Sequence, residues 1–146
     1  MKEPPFTFIQ PDIHMRTYLI DDDVISIFVT EKILSDENFS DNITSFTSAE
    51  EALACLKKQI PAQFPEVIFL DLNMPGMNGW DFLDVLEPFK DALQYKCHIY
   101  ILTSSLDLSD TARSCNYSLV KGFLHKPIDE QDVQAIQYEL KNQDRN

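Results

Sequence analysis

Five polar residues in this sequence each follow a short apolar run. Asp21 and Asp22 follow Thr17-Tyr18-Leu19-Ile20, Asp71 follows Val67-Ile68-Phe69-Leu70, Thr103 follows Ile99-Tyr100-Ile101-Leu102, and Lys126 follows Phe123-Leu124-His125. If those runs are neighbouring parallel strands, all five side chains gather at one rim of a sheet. Carboxylates gathered in one crevice repel: two unit charges about 4 Å apart interact by roughly 4 kcal/mol at an effective dielectric near 20. Such a cluster is relieved when one carboxyl takes a proton or when a cation binds. Carboxylate and carbonyl oxygens suit a hard ion, and Mg²⁺ is commonly held by one or two carboxylates together with waters and phosphate oxygens. Lys126 adds a cationic point charge suited to a carboxylate or phosphoryl oxygen, and Thr103 adds a short hydroxyl donor. An aspartate can itself be a nucleophile and form an aspartyl phosphate. The set therefore holds the parts needed for phosphoryl transfer: nucleophile, metal ligands and charge-neutralising donors.

The elements that must position these residues are legible as a repeated alternation of strand and helix. Asp21-Asp22-Asp23 ends the first strand, with Asp23 placed to cap a helix whose Val24, Ile27, Phe28 and Leu34 are expected near one buried face. Asn42 to Phe46 reads as a weaker strand. Ser48-Ala49-Glu50-Glu51 is a capping-box pattern that opens a helix with Ala49, Ala52, Leu53 and Leu56 on its apolar side. Val67 to Leu70 is apolar on both faces, as a central parallel strand should be. A turn-rich loop, Leu72 to Gly79, leads into a helix from about Trp80 to Leu86, with Phe82, Leu83 and Leu86 available for the core. A less apolar helix is expected over about Ser109 to Cys115, then a short strand, Phe123 to His125. The last helix starts near Asp129, with Val133, Ile136 and Leu140 as its buried stripe. This fivefold alternation predicts a doubly wound α/β fold: a five-stranded parallel sheet of flavodoxin-like order 2-1-3-4-5, with helices on both faces. Ligands in such sheets bind outside the carboxyl ends of the strands, where the winding direction switches. Here that crevice lies between the first and third strands.

Composition narrows the function classes. The 146 residues fit one domain, and 44 % hydrophobic content supplies a core. With 24 acidic against 12 basic residues the formal net charge is -12. That balance argues against nucleic acid or an anionic membrane surface as partner. No run approaches the ~20 apolar residues of a membrane span, and no signal-peptide pattern is present, so a soluble cytoplasmic protein is expected. Cys55, Cys97 and Cys115 have no metal-ligand or CxxC spacing and read as reduced core thiols. His14, His98 and His125 lack ligand spacing, and Trp80 reads as packing.

The motifs Leu19-Ile20-Asp21-Asp22-Asp23, Leu70-Asp71-Leu72-Asn73-Met74-Pro75 with Gly79, Leu102-Thr103-Ser104-Ser105 and Gly122-Phe123-Leu124-His125-Lys126-Pro127 together resemble the receiver domains of two-component response regulators. The resemblance runs from about Thr17 to Leu140. It implies that Asp71 is the phosphoacceptor, and that Mg²⁺ is held by Asp22, Asp71 and the backbone carbonyl of Asn73, with Asp21 acting mainly through metal-bound water. It implies further that Lys126 contacts a phosphoryl oxygen, that Thr103 and Phe123 are the switch pair, and that Lys126-Pro127 is a cis peptide, which an X-Pro bond adopts at modest cost. The implied layout is an irregular extension over 1–15, a single receiver domain over 16–142 and a frayed tail over 143–146. The implied partners are a sensor histidine kinase or phosphotransfer protein and a downstream protein target, with a phosphorylation-linked dimer left open. The readout surface is expected on the helix near Ser109 to Cys115, the fifth strand and the last helix. There, Phe123 would fill space vacated when Thr103 moves towards the phosphoryl group.

Each motif also has a mundane reading. An acidic run suits any helix N-terminus, Asp71 to Pro75 suits an ordinary turn, Thr103-Ser104-Ser105 suits a helix cap, and Lys126 suits a solvated surface. Their coincidence on successive strand ends favours the phosphoacceptor reading. An aspartate-nucleophile phosphohydrolase wants a second acid two residues after the nucleophile, where this chain has Asn73. A flavodoxin-like cofactor binder wants a Ser/Thr/Gly-rich loop after the first strand, where it has three aspartates. A receiver that works without phosphorylation would not need the full set of Asp21, Asp22, Asp71, Thr103 and Lys126. The chain thus reads as a signalling module and not as an enzyme acting on other molecules.

Overall fold

The computed structural model describes residues 15–59, 63–105 and 107–143. The extension expected over 1–15 lies, apart from Met15, outside these residues, as do His14 and 144–146 of the expected tail. Strands β1 (Arg16–Ile20), β2 (Asn42–Phe46), β3 (Val67–Asp71), β4 (His98–Thr103) and β5 (Val120–His125) alternate with helices α1 (Val24–Asp36), α2 (Ala49–Gln59), α3 (Gly79–Leu86), α4 (Lys90–Leu93), α5 (Leu108–Ser114) and α6 (Glu130–Gln143). All strand pairs are parallel and the sheet order is β2-β1-β3-β4-β5, as the alternation predicts.

The sheet divides two cores. Alternate residues point to opposite faces, so Tyr18, Ile20, Ile68, Leu70, Ile99 and Ile101 pack beneath α2 and α3. Leu19, Val67, Phe69, Tyr100 and Leu102 pack against Leu34 of α1 and Val133 and Ile136 of α6. Every residue of β3 is buried. Ala49, Ala52, Leu53 and Leu56 of α2, and Phe82, Leu83 and Leu86 of α3, face the core as their spacing requires. Asp23 caps α1 through the N–H groups of Ile25 and Ser26, and Ser48 accepts from Glu51 N–H at the start of α2. Burying a Leu, Ile or Phe side chain contributes roughly 1.5–3 kcal/mol, so the two layers anchor β1, β3 and β4 from both sides.

Three expectations are corrected. Val24 and Phe28 do not join the buried face of α1: they are 65 % and 68 % exposed, beside exposed Ile25 and Val29, and the helix packs instead through Ile27, Thr30 and Leu34. Cys97 is a core thiol, but Cys55 is only partly buried and Cys115 is exposed at the end of α5. The fifth strand starts at Val120, before the expected Phe123. The short α4 and the 3₁₀ turn before it, Glu87–Phe89, were not anticipated; they bring Leu93 into the core.

Candidate functional site

The sheet register delivers the strand ends to one rim. Ile20 pairs with Leu70, Asp71 with Leu102, and Thr103 with His125, so Asp21, Asp71, Thr103 and Lys126 emerge side by side. Asp21, Asp22 and Asp71 each offer an oxygen within 4.8 Å of the others. Asp21 is fully buried and Asp71 is 4 % exposed, whereas Asp22 faces solvent.

Asp21 is the most thoroughly bonded of the three. Its Oδ1 accepts from Asp23 N–H at 3.0 Å, and its Oδ2 accepts from Ser26 Oγ at 2.6 Å and from Lys126 Nζ at 2.9 Å. A buried charge persists only when paired and hydrogen-bonded, and these donors supply both conditions. Lys126 Nζ also lies 3.5 Å from Asp71 Oδ1. Burial alone would lower the lysine's pKa, but its bond to Asp21 and the attraction of Asp71 outweigh that, so its pKa lies above the ordinary lysine value.

Asp71 is poised differently. Burial raises its pKa, Lys126 opposes the rise, Asp21 adds repulsion, the N–H of Asn73 donates to the carboxylate, and Asp22 repels it further. The sum pushes Asp71 up to about 6. Burial and the two neighbouring acids disfavour the ionised form of this carboxyl, and a cation bound among them would relieve that repulsion. The donor set fits Mg²⁺: hard oxygens only, with one carboxylate open to water.

Thr103 is 1 % exposed; its Oγ1 accepts from Ser105 N–H at 3.0 Å and its carbonyl accepts from Lys126 N–H at 2.8 Å. It is thereby tied both to the loop before α5 and to the end of β5. Phe123 is half-buried against the α2 and α3 core, in register with Ile101. The Lys126-Pro127 peptide is cis. Asn73 is exposed and joined to Asp71 through its N–H. His125 is exposed and has no part in this hydrogen-bonding, and Trp80 is buried, where it packs on Tyr117. Sequence reasoning missed Ser26; its only signal is a hydroxyl on the first turn of α1, three residues after the capping Asp23, where it can turn back towards the strand end.

The model of the response regulator receiver domain family matches residues 18–137. This chain belongs to that family. The receiver superposes on a two-component response regulator from Cytophaga hutchinsonii with TM-score 0.82 and 29 % identity, covering 89 % of this chain and 98 % of that one. It is 25 % identical over 114 residues to the sensory/regulatory protein RpfC of Xanthomonas campestris pv. campestris, covering 78 % of this chain and 15 % of that protein. A protein-glutamate methylesterase/protein-glutamine glutaminase from Burkholderia thailandensis is 36 % identical over 69 residues, 47 % of this chain and 18 % of that protein. The receiver thus spans under a fifth of the length of these curated relatives. Its family role is that of a phospho-acceptor module in two-component signalling. Among the described residues, no helix is long and apolar enough to cross a membrane.

Proposed function

We propose that Asp71 accepts the phosphoryl group and that Asp22, Asp71 and the Asn73 carbonyl hold Mg²⁺, with Asp21 acting through water. The observation that carries this reading is the meeting of a buried Asp71, pushed up to about 6, with Asp21, Asp22 and the Lys126 ammonium. The Asp21 oxygens already accept from Asp23, Ser26 and Lys126, which supports an indirect role for this acid. Asp22 is open to solvent, which supports a direct one. Bound Mg²⁺ would supply positive charge to offset the oxygens of the transferring group. The chain's own residues do the rest. An oxygen of Asp71 forms the new P–O bond as the donor's bond to phosphorus breaks; with a phosphohistidine donor the departing imidazole keeps the electron pair. Lys126 pairs with a phosphoryl oxygen. The Thr103 hydroxyl turns towards the phosphoryl group, and Phe123 follows into the space it leaves.

We read the chain as a cytoplasmic signalling module that receives its phosphoryl group from a sensor kinase or phosphotransfer protein and presents α5, β5 and α6 to a downstream protein. Asn73, where a hydrolase would carry an acid, supports a module over an enzyme acting on other substrates. The test is intact mass after incubation with acetyl phosphate, with and without Mg²⁺. Wild type should gain one phosphoryl mass only with the metal, and Asp71→Asn should gain none. Equal gain in Asp71→Asn overturns the assignment. In a Mg²⁺ titration by calorimetry, Asp22→Ala should bind more weakly than wild type; unchanged affinity removes Asp22 from the ligand set.

A further inference from the structure

The loop from Leu72 to Asn78 carries Asn73 and joins Asp71 to α3. At its inner end Gly79 N–H donates to the Leu72 carbonyl at 3.0 Å. The approach is close enough that a Cβ on Gly79 would lie 2.7 Å from the Asp71 carbonyl oxygen. Asn78 caps α3 in a reciprocal pair with Asp81. Leu72 and Met74 are buried, while Asn73, Pro75 and Gly76 are exposed. What steadies this exposed outer part comes from another element. Glu50, in the first turn of α2, accepts from Met77 N–H through Oε2 at 3.1 Å. The same oxygen lies 2.9 Å from where a Cβ would stand on Gly76, whose φ is +72°. Gly76 therefore meets two requirements: a left-handed backbone, which glycine adopts without steric cost, and an open face against which the carboxylate rests.

We propose that Glu50 is a positioning residue for the phosphoacceptor site: by holding Met77 and the face of Gly76, it fixes the loop that presents the Asn73 carbonyl to the metal. The inference rests on the reading of Asn73 as a ligand in the section above. It is specific to Glu50 and does not extend to Glu51, its neighbour in the same helical turn, whose own N–H is occupied with Ser48. Both acids favour the helix dipole; Glu50 alone of the pair reaches the loop. Groups that orient a metal's ligands without touching it typically change affinity by 10–100-fold when removed. A single exposed brace belongs at the low end of that range.

The experiment measures Mg²⁺ binding by calorimetry in the full chain, together with hydrogen exchange at the Met77 amide without metal. Glu50→Ala should bind Mg²⁺ on the order of tenfold more weakly and exchange Met77 faster. Glu50→Gln, whose amide oxygen still accepts from Met77, should restore both readouts, and Glu51→Ala should match wild type in both. With acetyl phosphate as donor, Glu50→Ala should need more Mg²⁺ for half-maximal labelling yet reach the wild-type plateau rate. Wild-type affinity in Glu50→Ala overturns the proposal. So does an equal loss in Glu51→Ala, which would assign the effect to the helix dipole, or a failure of Glu50→Gln to restore binding. If wild type itself takes up no Mg²⁺, the metal reading of the site falls. Met77 exchange then decides separately whether Glu50 holds the loop, and unchanged exchange in Glu50→Ala overturns that as well.

Discussion

Asp71 and Thr103 end adjacent strands, yet the protein is built differently on their two sides. On the side of Asp71, β3 is buried along its whole length, and α2 and α3 bury Ala49, Ala52, Leu53, Leu56, Trp80, Phe82, Leu83 and Leu86 beside it. On the far side of Thr103, β5 is a half-exposed edge ending in exposed His125, and α5 buries Ser114 alone. α5 is held mainly through polar and ring contacts: the Arg113 guanidinium lies 4.4 Å from the centre of the Trp80 ring and, in the loop after it, Tyr117 donates to Asp84 at 2.7 Å. Leu119 alone in that loop is fully buried in the core. Close-packed interiors resist displacement, whereas segments with few buried apolar contacts open at low free-energy cost. The comparison teaches a difference in fastening: Asp71 ends a strand buried along its whole length, whereas the neighbouring flank of α5 buries Ser114 alone.

The largest expected effect comes from removing one ring on each side. Phe69→Ala, a truncation in the fully buried layer, should cost about 3–5 kcal/mol in urea unfolding. Phe123→Ala should cost no more than about half as much, because Phe123 is already half-exposed and leaves a smaller void. Equal losses would break the contrast.

A second effect tests the electrostatics of the rigid side. Native Asp71 is pushed up to about 6, against about 3.9 for an unfolded aspartate. The native state therefore binds this proton more tightly than the unfolded state. The resulting stabilisation is fully present below about pH 4 and is lost as pH rises through about 6. In chelator, Asp71→Asn should be more stable than wild type at pH 7.5, by on the order of 3 kcal/mol; the gap should shrink below pH 6 and vanish near pH 4. Added Mg²⁺ should stabilise wild type and narrow the difference at pH 7.5. A gap that does not change with pH means that burial and repulsion do not govern this carboxyl.

The smallest effect concerns the fastening of α5. Tyr117→Phe removes the bond to Asp84 and should cost about 0.5–1.5 kcal/mol. Its sharper signature is faster amide exchange in α5 and the start of β5, with β3 unchanged. Exchange that rises equally in β3 would show that the two sides are not separately fastened.

The sheet and the gathering of polar residues at its rim were legible because their signals are local and mutually consistent. Apolar runs end in polar residues, and the winding rule then places those ends together without knowledge of distance. α1 was not legible in the same way. Val24, Ile25, Phe28 and Val29 are as apolar as the Ile27 and Leu34 that pack, and the inward position Thr30 is polar, so periodicity could not choose the face. The start of β5 was hidden by Lys121 and Gly122, which weaken a strand signal. Gly122 is there because a Cβ would meet the Tyr100 ring at 2.8 Å, beside the shift in register between Ile99 and Tyr100. Ser26 and Glu50 belong to the site only through contacts of one side chain with a distant or reversed segment, and no spacing rule reports those. The exposed Cys115 shows that a thiol's burial follows its place on a helix, which composition does not give.

The alternation of β3 between the two cores has a mechanical consequence. Ile68 and Leu70 are gripped from one face, and Val67 and Phe69 from the other. Asp71 is thus the tip of a beam clamped along both flanges. Loosening either clamp leaves the other to hold the beam's direction, so the tip keeps its aim through damage that would swing a strand supported on one side. The direction of the carboxylate is thus set by two independent layers of packing.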